Sequence, residues 1–345
     1  MKPSLIASSF RAFFMAVFGM IGITVGIILS LVMIGSIART GDTLEQRSFY
    51  KPFALPNAQG ERKVLDKEAP VILKIDIEGA IGTDILSMGT IGRQLVESRE
   101  GILKDDRVKA ILLNINSPGG TVIDSDSIYN NLKEYKKRYD VPVYAYVDGL
   151  CASGGLYIAS AADKIYCSDV SLIGSIGVLS PPFFNISKTL DKLEIDTLIL
   201  SEGKGKDSLN PFRPWKPGES ENYREILSYY YDTFVNIITE NRPKISREKL
   251  VEEYGAKVFP ADQAQEIGLV DEKGVSLYGA IEKIAQDLTF EKDKYQVVQF
   301  RRKVWYSGLF QQSGPLEMLW KAKQNWLMPT FPFHEKNPFM YLYIP

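Results

Sequence analysis

The sequence predicts an α/β domain preceded by a single membrane-spanning helix. Three observations lead there. Apolar runs of strand length alternate with longer helix-like segments from residue 69 onward. Two glycine-rich turns close successive strands. An uncharged stretch of 27 residues, Ala12 to Ala38, comes before all of them.

In chain order, the uncharged stretch exceeds the roughly 20 residues that cross a hydrocarbon layer. A cleaved leader has a shorter apolar core of about 7 to 15 residues, so the segment reads as a retained anchor. That reading holds although Ser36-Ile37-Ala38 has the small-x-small form of a cleavage site. Lys2 and Arg11 flank its N-terminal side, while Arg39 is soon offset by Asp42 and Glu45. This bias places residues 1–11 in the cytoplasm and the rest outside; the expected location is the cell's inner or cytoplasmic membrane, with the domain on its external or periplasmic side. Residues 39–68 hold Pro52, Pro56 and Gly60 without a sustained period and are expected to form a stalk.

The domain is expected over 69–301. Val71–Ile77, Val108–Ile115 and Val141–Val147 read as strands, with helices at Thr90–Gly101 and Thr121–Arg138. A strand at Thr197–Leu200 and helices at Ser220–Thr239, Pro260–Ile267 and Leu277–Leu288 follow. The tail, 302–345, carries Trp305, Trp320, Trp326, Phe331, Phe333, Tyr341 and Tyr343 around the only histidine, His334. Aromatic side chains of this kind suit a membrane interface, a neighbouring molecule or the chain's own core alike.

Composition excludes several functions. With 45% hydrophobic residues among 345, the chain can bury a large core. A net charge of −1, without a polybasic run or zinc-finger spacing, gives nucleic acid no footprint. One histidine and no His-Glu-x-x-His pattern make a metal or other cofactor unexpected. Gly203-Lys204-Gly205-Lys206-Asp207-Ser208 lacks the spacing of a phosphate loop. Cys151 and Cys167 read as buried free thiols.

The two glycine turns carry the chemistry. Asn116-Ser117-Pro118-Gly119-Gly120 follows the second strand, and its glycines leave backbone N–H groups open for an oxyanion. Asp148-Gly149-Leu150-Cys151-Ala152-Ser153-Gly154-Gly155 follows the third, with small residues around a serine. Successive βα units bring both to one edge of a sheet, where ligands of α/β folds bind. A serine nucleophile needs a base, and with imidazole nearly absent the search turns to lysine. Asp76, Asp124, Asp126 and Asp148 read as caps and surface charges, since a Ser-Lys dyad needs no acid.

At these residues the chain resembles the signal peptide peptidase A serine proteases, related in fold to the Clp protease subunit and the crotonases. The resemblance spans about residues 70–300. It rests on 116–120, 152–155, Ala161-Ala162-Asp163-Lys164-Ile165, Gly174-Ser175-Ile176-Gly177-Val178 and 203–207. It implies a Clp/crotonase-like superhelical βα core and a nucleophile at Ser153. It also implies a general base at Lys206, an orienting hydroxyl at Ser175, and an oxyanion hole from the Gly120 and Gly154 amides. Lys204 is the alternative base. Gly205 replaces a bulkier residue between those lysines, and Leu156 and Ile173 stand where the family often has Tyr and Thr, so the pocket shape departs from the pattern.

Members with one such domain are homo-oligomers in which serine and lysine come from neighbouring subunits. The resemblance therefore implies self-assembly, a membrane location and hydrophobic peptide substrates such as signal-peptide remnants. Two other readings stay open: an acyl-CoA enzyme of the crotonase type, which has no need of Ser153, and an inactive membrane scaffold, favoured by an exposed Lys206.

Overall fold

A computed structural model of the chain describes residues 5–40, 50–66, 68–302 and 340–342. It divides into two units, residues 1–49 and 50–345.

The first unit is one helix, α1 (Leu5–Thr40). Within it, Phe13–Leu31 has a mean hydropathy of 2.4 and none of its side chains is buried. Its length and composition suffice to cross a bilayer, where every backbone group must be satisfied inside the helix. The Thr24 hydroxyl follows that rule by donating back to the Met20 carbonyl at 2.8 Å.

The second unit begins with β1 (Tyr50–Leu55), β2 (Val71–Glu78), α2 (Met88–Glu97), β3 (Val108–Ser117), β4 (Gly119–Thr121) and α3 (Val122–Tyr139). β5 (Val143–Ala152), α4 (Gly154–Ala159), β6 (Lys164–Cys167), β7 (Leu172–Gly174) and α5 (Ser187–Lys192) follow. The chain continues with α6 (Glu221–Asn241), a one-turn α7 (Arg247–Lys249), β8 (Val258–Pro260), α8 (Ala261–Ile267), α9 (Leu277–Asp287), β9 (Gln296–Arg302) and β10 (Met340–Leu342). The sheet runs β1-β9-β2-β3-β5-β7-β8, with β6 also on β5. Its centre is parallel, and β1 and β8 close the edges antiparallel.

Side-chain alternation decides what each face buries. Leu73, Ile75 and Ile77 of β2 join Ile111, Leu113 and Ile115 of β3 on the face covered by α2, α3, α4 and α6. Ile72, Ala110, Leu112, Tyr144, Tyr146 and Tyr166 lie on the opposite face, with Ile281 and Ile284 of α9. Each fully buried aliphatic side chain there contributes about 1.5–3 kcal/mol.

Three elements differ from expectation. α2 starts at Met88, two residues before the expected Thr90, because Ser87 and Thr90 form a capping box there, and it ends at Glu97, short of Gly101. Thr197–Leu200 forms no strand: it has no partner strand among the described residues, and Leu198 and Leu200 are 84% and 85% exposed. Part of the expected stalk, Tyr50–Leu55, is an edge strand paired with β9. Of the tail, Arg302 is described as the end of β9 and 340–342 as a strand on β4. His334, Trp305, Trp320, Trp326, Phe331, Phe333 and Tyr343 lie outside the described residues.

Candidate active site

The first glycine turn is built from β3 outward. The Ser117 hydroxyl donates to the Gly79 carbonyl at 2.6 Å and accepts from the Gly119 amide at 3.1 Å, fixing the bend. β4 then runs beside residue 81, with Ile81 N–H donating to Gly119 and Thr121 N–H donating to Ile81 at 2.9 and 3.0 Å. A Cβ at position 120 would stand 2.0 Å from the Ile81 carbonyl oxygen, so only glycine permits this approach. On β4's other side lies β10, antiparallel, with Tyr341 opposite Gly120. The sequence alone did not indicate that pairing, since the tail has no clear strand period.

The second turn is tied to the first. Asn116 accepts from the Leu150 amide through Oδ1 at 3.2 Å, and Ser117 pairs in register with Cys151. β5 therefore continues through Gly149 to Ala152, beyond the strand expected to end at Val147. The next residue, Ser153, has φ 53° and ψ −117°, a conformation that costs a non-glycine residue about 1–3 kcal/mol. Its N–H donates to Gly174 at 2.8 Å and its carbonyl accepts from Tyr157 at 3.0 Å, which starts α4. Ser153 is fully buried, and its Oγ has no hydrogen-bond partner among the described residues. Behind it the Tyr157 hydroxyl donates to Asp126 at 2.7 Å, anchoring α4 on α3.

Ser175 lies one residue beyond the β7 strand that pairs Gly174 with Ala152. It is 6% exposed with φ 58°, and its N–H donates to the Lys257 carbonyl at 2.7 Å. A Cβ at Gly174 would sit 2.4 Å from that same oxygen. The fold thus brings Ser153, Gly154 and Ser175 to one strand end, beside β4 and Gly120. It does not bring Lys206 to them within the chain. Lys206 is exposed in the turns at 203–208, where its N–H donates to Gly203 at 3.2 Å, and Lys204 is exposed beside it.

The acids take no part at Ser153. Asp124 accepts from the Thr121 hydroxyl and the Met88 amide at 2.7 and 3.0 Å, and so caps two helices. Asp148 is exposed. Asp76 is not the surface charge expected; it is partly buried on the sheet, paired with Lys74 and accepting from Asn114, because its strand face is covered there. Cys151 and Cys167 are free and buried. Burial raises the Cys151 thiol pKa well above its normal value and pushes Cys167 to about 11. Leu156 and Ile173, the departures from the family pattern, are both fully buried core residues.

What sequence reading missed is the order around Lys206. Asp207 and Glu219 both pair with Arg213 inside a segment that reads as a solvated loop. The signal lay in the spacing of Asp207, Arg213 and Glu219 between prolines.

Comparison with known proteins places this geometry. Residues 135–290, which hold Ser153, Ser175 and Lys206, match the model of peptidase family S49. Residues 91–172, which hold Gly120 and Ser153, match that of the Clp protease, and the fold is of that α/β kind. A Synechocystis protein provisionally named a protease is 32% identical, covering 59% of this chain and 69% of its own. A provisionally named signal peptide peptidase A of Enterococcus faecium is 32% identical over 59% of this chain and 60% of its own. A provisionally named protease of Methanocaldococcus jannaschii is 34% identical over 56% of this chain. The chain spans about three fifths of the length of these last two relatives, 60% and 61%. The chain belongs to peptidase family S49.

Proposed function

We propose that the chain is a membrane-anchored serine endopeptidase that uses a Ser153-Lys206 dyad on hydrophobic peptides. The observation that carries this reading is the state of Ser153. A buried hydroxyl without a partner costs about 1–3 kcal/mol, and its left-handed backbone adds a similar amount. Both costs fall on one side chain at the end of a parallel strand, next to a glycine-rich turn. A strand-end turn of this kind is where a serine nucleophile is positioned.

In the reaction, Ser153 Oγ attacks the peptide carbonyl while the neutral Lys206 amine takes its proton. The Gly120 and Gly154 amides hold the oxyanion. Ser175 accepts a hydrogen bond from the amine and aims its lone pair. Lys206 then gives the proton to the leaving amine, and water hydrolyses the acyl-enzyme with the same base. A lysine in water is protonated at neutral pH, so the base must be desolvated to work. Lys206 is exposed in the single chain, and docking it against a neighbouring copy supplies that desolvation. Self-assembly with a shared site is therefore part of the proposal.

β4 already accepts an extended segment, β10, in antiparallel register beside Gly120, which supports extended peptides as substrates. With α1 in the inner membrane and its N-terminus cytoplasmic, the domain of 69–301 faces the external side, and signal-peptide remnants are the substrates nearest to hand.

One observation favours the scaffold reading instead: the exposure of Lys206. It leaves the strain at Ser153 without a purpose. Turnover of a quenched hydrophobic peptide by the full chain in detergent separates the two. The protease reading predicts cleavage lost in Ser153→Ala and in Lys206→Ala with assembly mass unchanged. Absence of cleavage by the assembled wild type would instead establish the scaffold.

A further inference from the structure

The segment between α5 and α6 has no regular secondary structure beyond turns, yet it contains a closed polar knot immediately after Lys206. Arg213 donates from Nε to Asp207 Oδ2 at 2.5 Å and from Nη1 to Glu219 Oε1 at 2.7 Å. Its remaining N–H groups reach the Asp207 and Pro214 carbonyls, at 2.5 and 3.0 Å. Asn210 donates its amide to Asp207 Oδ1, and Glu219 Oε2 accepts from the Leu209 amide at 3.1 Å. Trp215 closes the loop by donating to the Asn210 carbonyl at 2.9 Å. The Glu219 side chain is only 10% exposed, so the knot is partly withdrawn from solvent while Lys206 is not.

We infer that Asp207, Arg213 and Glu219 are positioning residues that hold the backbone of Lys206 in the geometry its base role requires. This rests on the dyad proposed above. Ion pairs near a surface contribute about 0–1 kcal/mol to global stability, so two carboxylates converging on one guanidinium have little to gain there. They do have a local effect. The knot fixes the chain on the C-terminal side of Lys206, and the 203–206 turn, with Gly203 at φ 98° and Gly205 at φ 78°, fixes it on the other. The direction of the Lys206 Cα–Cβ bond is thereby set before any partner docks, although the side chain beyond it rotates freely. A base displaced by about 1 Å loses on the order of a hundredfold in rate. The knot also gives each Asp207 oxygen a partner, Asn210 on Oδ1 and Arg213 on Oδ2.

The test measures kcat and KM for a quenched hydrophobic peptide with the full chain in detergent, alongside assembly mass. Asp207→Asn and Arg213→Lys are expected to lower kcat roughly 10- to 100-fold, leaving KM within about twofold and mass unchanged. Asp207→Glu, which keeps the charge, is expected to recover part of kcat. An unchanged kcat in Asp207→Asn, with Lys206→Ala inactive, overturns this inference and leaves the dyad standing. Full turnover in Lys206→Ala overturns both. A loss in Asp207→Asn that follows disassembly, or a rise in KM alone, overturns the positioning role in favour of a structural or substrate-binding one.

Discussion

At the scale of single residues, stability and activity meet at Ser153. Glycine adopts φ 53° and ψ −117° without the cost borne by serine, and its substitution also removes the unpartnered hydroxyl. Ser153→Gly is therefore expected to raise thermal stability by about 1–2 kcal/mol while abolishing turnover. A calorimetric melt of the assembled protein checks this; a lowered Tm would count against strain at the site. Gly174→Ala should act in the opposite sense. Its Cβ would meet the Lys257 oxygen at 2.4 Å with φ 141°, so a loss of about 2 kcal/mol or more is expected by denaturant titration. Native Cys151 and Cys167 should resist alkylation at neutral pH, since burial disfavours both thiolates and holds Cys167 near pKa 11. Mass spectrometry after iodoacetamide treatment would reveal any adduct.

Much of this residue-scale picture was legible. The two glycine turns, the serine between small neighbours and the buried thiols all follow from residue type and spacing. The cross-tie from Asn116 to Leu150 and the exclusion of any Cβ at Gly120 were not legible, because each depends on a segment distant in sequence.

At the scale of elements the polar knot makes a pH prediction. Hydrogen bonds from Asn210 and then Arg213 hold the Asp207 carboxyl below its ordinary 3.8. For Glu219, burial works in the opposite direction but is outweighed by Arg213 and the Leu209 amide, so its carboxyl also titrates below 4.5. Depressed carboxyls contribute stability above their unfolded values and lose it as pH falls through the folded ones. The Leu209 amide, bonded to Glu219, is therefore expected to be protected from hydrogen exchange at pH 6 and to lose that protection as acid titrates the Glu219 carboxyl, below its ordinary 4.5. Protection that does not change as acid titrates both carboxyls would mean the carboxylates are not what holds the loop.

Element existence followed well from periodicity. β2, β3, α3, α6, α8 and α9 fall within a few residues of their expected spans, since each buries one clear face. The expected strand at Thr197–Leu200 failed for a tertiary reason: its apolar residues face solvent in the single chain and no strand lies beside them among the described residues. β1 was hidden for the converse reason. Its pairing with β9 joins segments more than two hundred residues apart, and Pro52 obscured its pattern.

At the scale of the whole molecule, apolar exposure asks for a partner. Phe184, Leu193, Leu198 and Leu200, all near Lys206 in sequence, are 71%, 63%, 84% and 85% exposed. The proposed assembly gives them cover, and Leu198→Glu combined with Leu200→Glu is expected to reduce assembly mass and peptide turnover together, by light scattering and by rate. Turnover that survives dissociation would place the base within the same chain as the serine.

Complementation tests the central claim most directly. Ser153→Ala and Lys206→Ala chains, each inactive alone, are co-assembled and assayed on the quenched peptide. A shared Ser-Lys site predicts that the mixture regains a measurable fraction of wild-type turnover, because some neighbours then pair an intact serine with an intact lysine. If mixed assemblies form and stay inactive while wild type cleaves, the serine and its base do not meet across subunits, and a catalytic site shared between neighbouring chains is ruled out.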